Sequence, residues 1–206
     1  SRARRERLGL LLPLRRQRHR CIRDRQFVIG QTLDTARSRA APAEAKGWSH
    51  SYDMLGEAAR TDADARRYFD AYAGAIKALS RAKRPKDPLL APSISVKLSA
   101  LHPRYEEAQR DRAMTELVPR LIDLARLARA GDVAMSIDAE ESDRLELSLD
   151  VISAAMQAPE LTGWDGFGIV VQAYAKRAEP VLDWIHALAV RLDRRIPVRL
   201  VKGAYW

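Results

Sequence analysis

The sequence predicts an α/β fold, an incomplete (β/α)8 TIM-type barrel of about five strands preceded by a short helical segment. Three observations predict it. Short β-branched runs alternate with apolar-striped segments of ten or more residues, and that rhythm builds parallel sheets because each return crossing needs a helix. The G-x-G-x-x-G turn of an open dinucleotide-binding sheet is absent. Polar residues recur at successive strand ends (Lys97, Asp138, Gln172, Lys202), which is how a barrel assembles a site. Strand ends are also polar simply because loops are exposed, so on this pattern alone the open sheet stays in contention.

The elements follow in order. Residues 36–47 (ARSRAAPAEAKG), small and polar with Pro42 and Gly47, read as a connection between an N-terminal helical piece and the main body. A first strand lies near Ser49 to Asp53. Thr61 is a helix cap with Asp62 and Asp64 in the first turn, and Tyr68, Tyr72, Ile76 and Leu79 stripe a helix over 62–82 that Pro85 and Pro88 end. Ser93 to Leu98 is the next strand. Leu117, Leu121, Leu124 and Leu127 mark a helix stopped by Gly131. Val133 to Asp138 is a strand, and Leu145, Leu149, Ile152 and Met156 stripe the helix after it. Phe167 to Gln172 is a strand, Val181, Ile185, Leu188 and Leu192 stripe a helix, and Pro197 to Val201 closes the series. A full barrel needs about 250 residues, so these 206 residues are expected to be part of one. The expected division is a poorly ordered tail over 1–24, a helical segment and linker over 25–47, and the N-terminal part of the barrel over 48–206.

Composition removes several classes. The chain is 47% hydrophobic, enough for a sizeable core, yet no apolar run approaches the roughly 18 residues of a membrane span. Cys21 is the single cysteine, which excludes an internal disulfide and a multi-thiolate zinc site and makes a reducing, cytoplasmic setting the natural expectation. The net charge is +9, but residues 1–25 hold ten arginines against Glu6 and Asp24, so the other 181 residues carry only +1. A basic tail is joined to a near-neutral body. The tail lacks a signal-peptide cleavage site and an amphipathic period; it reads as a poorly ordered terminus or, alternatively, a phosphate-binding arm for nucleic acid.

Five stretches carry a resemblance: SYDMLGEAA (51–59), SISVKLSALHPRY (93–105), IDAEESDRLELSLD (137–150), GFGIVVQAYAKRA (166–178) and RLVKGAYW (199–206). In order and spacing they resemble the proline dehydrogenase barrel of the bifunctional proline utilization A flavoenzymes, and RQFVIGQTL (25–33) is similar to the helical segment before that barrel. The resemblance implies a barrel holding FAD that oxidises L-proline to Δ1-pyrroline-5-carboxylate and passes electrons to quinone. It also implies a cytoplasmic parent, peripheral at the inner face of the membrane, with an aldehyde dehydrogenase domain. That domain is absent here, as are the further barrel strands with an arginine pair for the proline carboxylate, so residues 1–206 by themselves are expected to be inactive. Nor does the chain hold the ribbon-helix-helix DNA-binding domain of some members, and DNA is not an expected partner.

Carried over by motif, Lys97 neutralises the substrate carboxylate, Asp138 sits beside proline and flavin, and Ala139 lines the cofactor. Gln172 bonds the isoalloxazine edge and Arg199 lies near flavin N5. Val201, Lys202, Gly203, Ala204 and Trp206 cradle the FAD, and Tyr205 packs against proline. The residue types suit these tasks: a zwitterion needs a cation for its carboxylate, and a fixed cation stabilises charge arriving on the flavin. Without the family context, Lys97 is a solvated rim residue, Arg199 pairs with an acid on a neighbouring strand, and Asp138, Glu140 and Glu141 serve a helix dipole. His102 orders a loop, and no metal site is expected. The alternative function is a nucleic-acid-binding module acting through the basic arm.

Overall fold

The computed structural model describes residues 30, 32–54, 56–81 and 91–203. The Arg-rich tail, Cys21, most of the 25–33 segment, Pro85, Pro88, Ala204, Tyr205 and Trp206 lie outside the described residues. Two compact units divide the chain, Ser1–Ser49 and His50–Trp206.

In the first unit, helix α1 spans Leu33–Glu44. The stretch 36–47, expected as a connection, is therefore mostly helical. Its alanines are the best helix formers, the Thr32 hydroxyl accepts from the Thr35 N–H at 3.2 Å as the cap, and Pro42 falls late enough to disturb only the last turn.

In the second unit the order is β1 (Ser51–Asp53), α2 (Asp62–Ser80), β2 (Ser93–Val96), α3 (Leu98–Leu101), α4 (Arg110–Ala130), β3 (Ala134–Ile137), α5 (Leu145–Met156), β4 (Phe167–Gln172), α6 (Ala178–Arg191) and β5 (Val198–Val201). Every neighbouring strand pair is parallel, and the spatial order is β1-β2-β3-β4-β5. A doubly wound sheet reverses its strand order at a switch point. Here the order never reverses, so the sheet is wound in one direction.

The curvature follows from one contact. In a flat sheet β1 and β5 would stand four spacings of about 4.8 Å apart, roughly 19 Å, far beyond the reach of an arginine. Yet Nη1 of Arg199 on β5 lies 3.4 Å from Oγ of Ser51 on β1. The five strands curl into an arc of a (β/α)8 barrel, and Arg199 crosses its hollow side.

Alternation along each strand sorts the two faces. Outward point Tyr52, Ile94, Val96, Met135, Ile137, Phe167, Ile169 and Val171, all buried. Inward point Ser51 and Asp53, then Ser93, Ser95 and Lys97, then Ser136 and Asp138. The helices supply the other half of the outer core: Tyr72, Ile76 and Leu79 from α2, Leu117, Leu121 and Leu124 from α4, Leu147, Val151 and Ile152 from α5. Helix α2 starts with a reciprocal cap, in which the Asp64 N–H donates to the Thr61 hydroxyl and the Thr61 N–H to the Asp64 carboxylate, each at 3.1 Å.

Three expectations need correction. The second strand stops at Val96, because Leu98 and Leu101 bury completely by winding one helical turn, α3. Gly131 ends α4 without a left-handed backbone; a Cβ there would stand 2.8 Å from Cβ of Ser80, so close approach is what requires glycine. On α5 the deeply buried side chains include Leu147 and Val151, whereas Leu145 and Leu149 of the expected stripe are only half-buried.

Candidate active site

The strand ends bring four charged side chains together. Lys97, just past β2, is fixed from behind: its backbone N–H donates to the hydroxyl of buried Tyr72 at 3.2 Å. Its ammonium donates to Asp53 Oδ1 at 2.7 Å and Asp138 Oδ2 at 3.0 Å. The other carboxylate oxygen of Asp138 accepts from Arg199 Nη2 at 2.5 Å. Asp138 is thus the bridge between the two cations. Its backbone is pinned as well, the N–H donating to the Val96 carbonyl at 2.9 Å.

Burial works against the Lys97 ammonium, but hydrogen bonds to Asp53 and Asp138 and their charges outweigh it, and the lysine pKa is raised. Lys97 is therefore a held cation. Burial also pushes the Tyr72 phenol up to about 12, against the opposing pull of Lys97. The cluster of two cations and two carboxylates is neutral in sum.

The three neighbouring acids of the IDAEE motif go three ways. Asp138 binds the cations, and Glu141 pairs with Arg144 at 3.1 Å. Glu140 turns back to Ser99, accepting from its N–H at 3.1 Å and from its hydroxyl. Burial raises the Glu140 pKa, and the two bonds from Ser99 oppose that rise. The Ser99 hydroxyl oxygen also accepts from the Ala58 N–H at 3.2 Å, and the Gln172 side-chain amide donates to the Glu140 carbonyl at 2.9 Å. The segments after β1, β2 and β3 and the end of β4 are tied through this one network.

The Gln172 and Tyr174 side chains pack tightly against Gly203. Gly203 has φ +91°, and a Cβ there would lie 2.6 Å from Tyr174 Cδ1 and 2.7 Å from Gln172 Cβ. Only glycine fits. Val201 is half-buried at the end of β5 and Lys202 beyond it is exposed. Ala139 and Gln172 also line a small cavity of about 50 Å³ behind the strands, against α5 and α6. That volume suits a few waters.

The structure brings together Lys97, Asp138 and Arg199 of the expected set, with Gln172 and Gly203 in a second group linked to them through the β3 loop. Tyr205, Ala204 and Trp206 lie outside the described residues. Sequence reasoning missed Asp53, Ser95, Ser99 and Glu140 as site-building residues. For the strand residues a signal was available: Ser-x-Asp occurs at 51–53 and again at 136–138, with Ser-x-Ser-x-Lys at 93–97 between them. Buried His102 orders its loop, Nδ1 accepting from the Arg104 N–H at 3.1 Å while Nε2 lies 3.0 Å from Glu116. Among the described residues, no group of three or more His, Cys, Asp or Glu is placed to hold a metal, and no helix is long and apolar enough to cross a membrane.

The sequence pattern that defines the proline dehydrogenase family matches residues 36–206, most of the chain. The chain belongs to the proline dehydrogenase family. It is 54% identical over 181 residues to the bifunctional protein PutA of Escherichia coli K12, an alignment covering 88% of this chain and 14% of that protein. Among solved structures, a variant of proline utilization A from Bradyrhizobium japonicum is 56% identical with a TM-score of 0.77, over 86% of this chain and 18% of its own. Proline utilization A from Bdellovibrio bacteriovorus, inactivated by N-propargylglycine, is 25% identical with a TM-score of 0.88, over 95% of this chain and 22% of its own. The chain thus spans about a seventh of the length of the PutA proteins that it matches. The alternative of nucleic-acid binding through the basic arm has no support among these matches.

Proposed function

We propose that this chain is the front part of the barrel in an FAD-dependent enzyme that oxidises L-proline to Δ1-pyrroline-5-carboxylate. The observation that carries the proposal is the Lys97–Asp138–Arg199 cluster on the strand-end face of a chain of this family. Residues 1–24, 25–47 and 48–206 are taken as tail, leading segment and barrel. The parent is proposed to carry an aldehyde dehydrogenase domain, to pass electrons to quinone, and to work in the cytoplasm at the inner face of the membrane.

The residues fit a flavin. Gly203, for want of a Cβ, lets the chain after β5 pass close against Gln172 and Tyr174 beside the strand ends, and Arg199 provides a cation, 41% exposed at its side chain. Bound FAD would supply the hydride acceptor for the carbon next to the proline nitrogen. Lys97 has three N–H donors and spends two on Asp53 and Asp138, leaving the third for the substrate carboxylate. Asp138 holds both cations in fixed directions, so little reorganisation accompanies the arrival of charge, which is the condition for electrostatic stabilisation to accelerate a reaction. Ala139, Val201, Lys202, Gly203, Ala204 and Trp206 are assigned to the FAD cradle, and Tyr205 to the proline ring.

The test is anaerobic addition of L-proline to the purified flavin-loaded parent protein, following the flavin absorbance and trapping the cyclic imine. Bleaching with imine formation is expected. A flavin spectrum that proline leaves unchanged would overturn the proposal.

A further inference from the structure

An arginine head has several donors, and a single hydrogen bond to a carboxylate, unlike a bidentate pair, leaves it free to turn. Asp138 holds Nη2 of Arg199 at 2.5 Å; the second hold is a serine. Nη1 donates to Ser95 Oγ at 2.8 Å, and Ser51 Oγ is a distant third partner at 3.4 Å. Ser95 lies on the hollow side of β2 with 1% of its surface exposed. Its oxygen is 3.1 Å from Ser51 Oγ and 3.4 Å from Ser136 Oγ, so three adjacent strands each place a hydroxyl in one row.

We infer that Ser95 is a positioning residue for Arg199: its buried hydroxyl oxygen aims the guanidinium across the hollow of the barrel at the strand ends. The inference rests on the flavin reading of Arg199 above.

The direction of each bond is settled by elementary chemistry. A guanidinium has donors and no acceptor, so Ser95 must accept from it. The single Ser95 proton then points away, toward Ser51 or Ser136, and the shorter separation favours Ser51. Removing the Ser95 oxygen leaves Nη1 with Ser51 alone at 3.4 Å, and the guanidinium is then free to turn about its bond to Asp138. The bland reading is that a barrel interior this crowded with side-chain heads needs a small residue at 95. The two readings separate cleanly. A small residue without an oxygen satisfies the bland one and fails the positioning one.

The experiment uses the flavin-loaded parent protein and four variants: Ser95→Ala, Ser95→Cys, Ser95→Thr and Arg199→Met. Cysteine keeps the size but is a weak acceptor, and threonine keeps the oxygen. The readouts are the flavin reduction potential by dye equilibration, and kcat and KM for proline taken separately. With Ala or Cys at 95 we expect a potential lowered in the same direction as in Arg199→Met but by less. We also expect kcat down about tenfold, the low end of the worth of one hydrogen bond to a charged group, with KM changed less than kcat. Threonine should restore both. If Arg199→Met lowers potential and kcat while Ala and Cys at 95 match the unsubstituted protein, the positioning role is overturned. Failure of threonine to restore a loss seen with Ala and Cys would also overturn it, because packing would then be the cause. If Arg199→Met itself changes neither readout, the reading of Arg199 as the flavin-side cation falls, and this inference falls with it.

Discussion

Lys97 makes two ionic hydrogen bonds, and the shorter is expected to be the weaker in energy. Asp53 accepts at 2.7 Å but its side chain is 51% exposed, whereas Asp138 accepts at 3.0 Å with 11% exposure, matching the 11% of Lys97. Water screens the first pair, and exposed pairs are worth at most about 1 kcal/mol. For the second, the gross attraction at 3.0 Å with an effective dielectric of 20 is about 5 kcal/mol, of which desolvation removes a large part. A coupling of about 2 kcal/mol remains, within the range found for buried partners. The assay is a pair of double-mutant cycles by urea unfolding, Lys97→Met with Asp138→Asn and Lys97→Met with Asp53→Asn. Lys97→Met alone should cost about 2 kcal/mol rather than the 3–5 of an orphaned buried charge, since Arg199 stays on Asp138. A coupling to Asp53 as large as that to Asp138 would refute the reasoning.

Stability should fall on the alkaline side. Both Lys97 and Tyr72 have pKa values raised in the folded protein, Tyr72 to about 12. Their contributions are complete below their ordinary values of about 10 and are lost as pH climbs through the raised ones. Urea unfolding should show a loss beginning above about pH 10 that is shallower in Tyr72→Phe; an unchanged slope in that variant would contradict the assignment. Gly203→Ala forces a left-handed alanine into contact with Gln172 and Tyr174, so a stability loss of about 1–2 kcal/mol from backbone strain alone should accompany weaker flavin retention. Melting and flavin titration at the level of the unsubstituted protein would show that the cradle tolerates a methyl group.

Much of the fold was legible because it rests on local signals. Phe167–Gln172 appeared as a strand from its β-branched run, and Thr61 announced the start of α2. Misreadings came where tertiary packing decides. Residues 36–47 look like a linker by composition, but alanine's helix preference wins; Leu98 looks like strand until Leu101 needs burying on the same side. In the site, Lys97 and Asp138 stood out as charged strand-end residues, whereas Arg199, inside its strand, was marked only by the family resemblance. Asp53, Ser95, Ser99 and Glu140 gain meaning only from partners more than 30 residues away, and a serine in a strand carries no mark of its own.

The two faces of the sheet differ in kind, and this bears on how the protein can change over time. On β1, β2 and β3 the outward side chains carry the oily contacts with the helices, and the hollow side is built mainly of small hydroxyls and charges; β4 also turns Val170 inward. Typical barrel interiors are filled with branched aliphatic residues that hold the barrel together. Here, on β1, β2 and β3, the apolar contacts and the charged cluster are assigned to opposite surfaces of the same strands. Substitutions at the inward serines of these strands leave the outer apolar contacts in place, so the hollow side can vary while the layer that packs on the helices is kept.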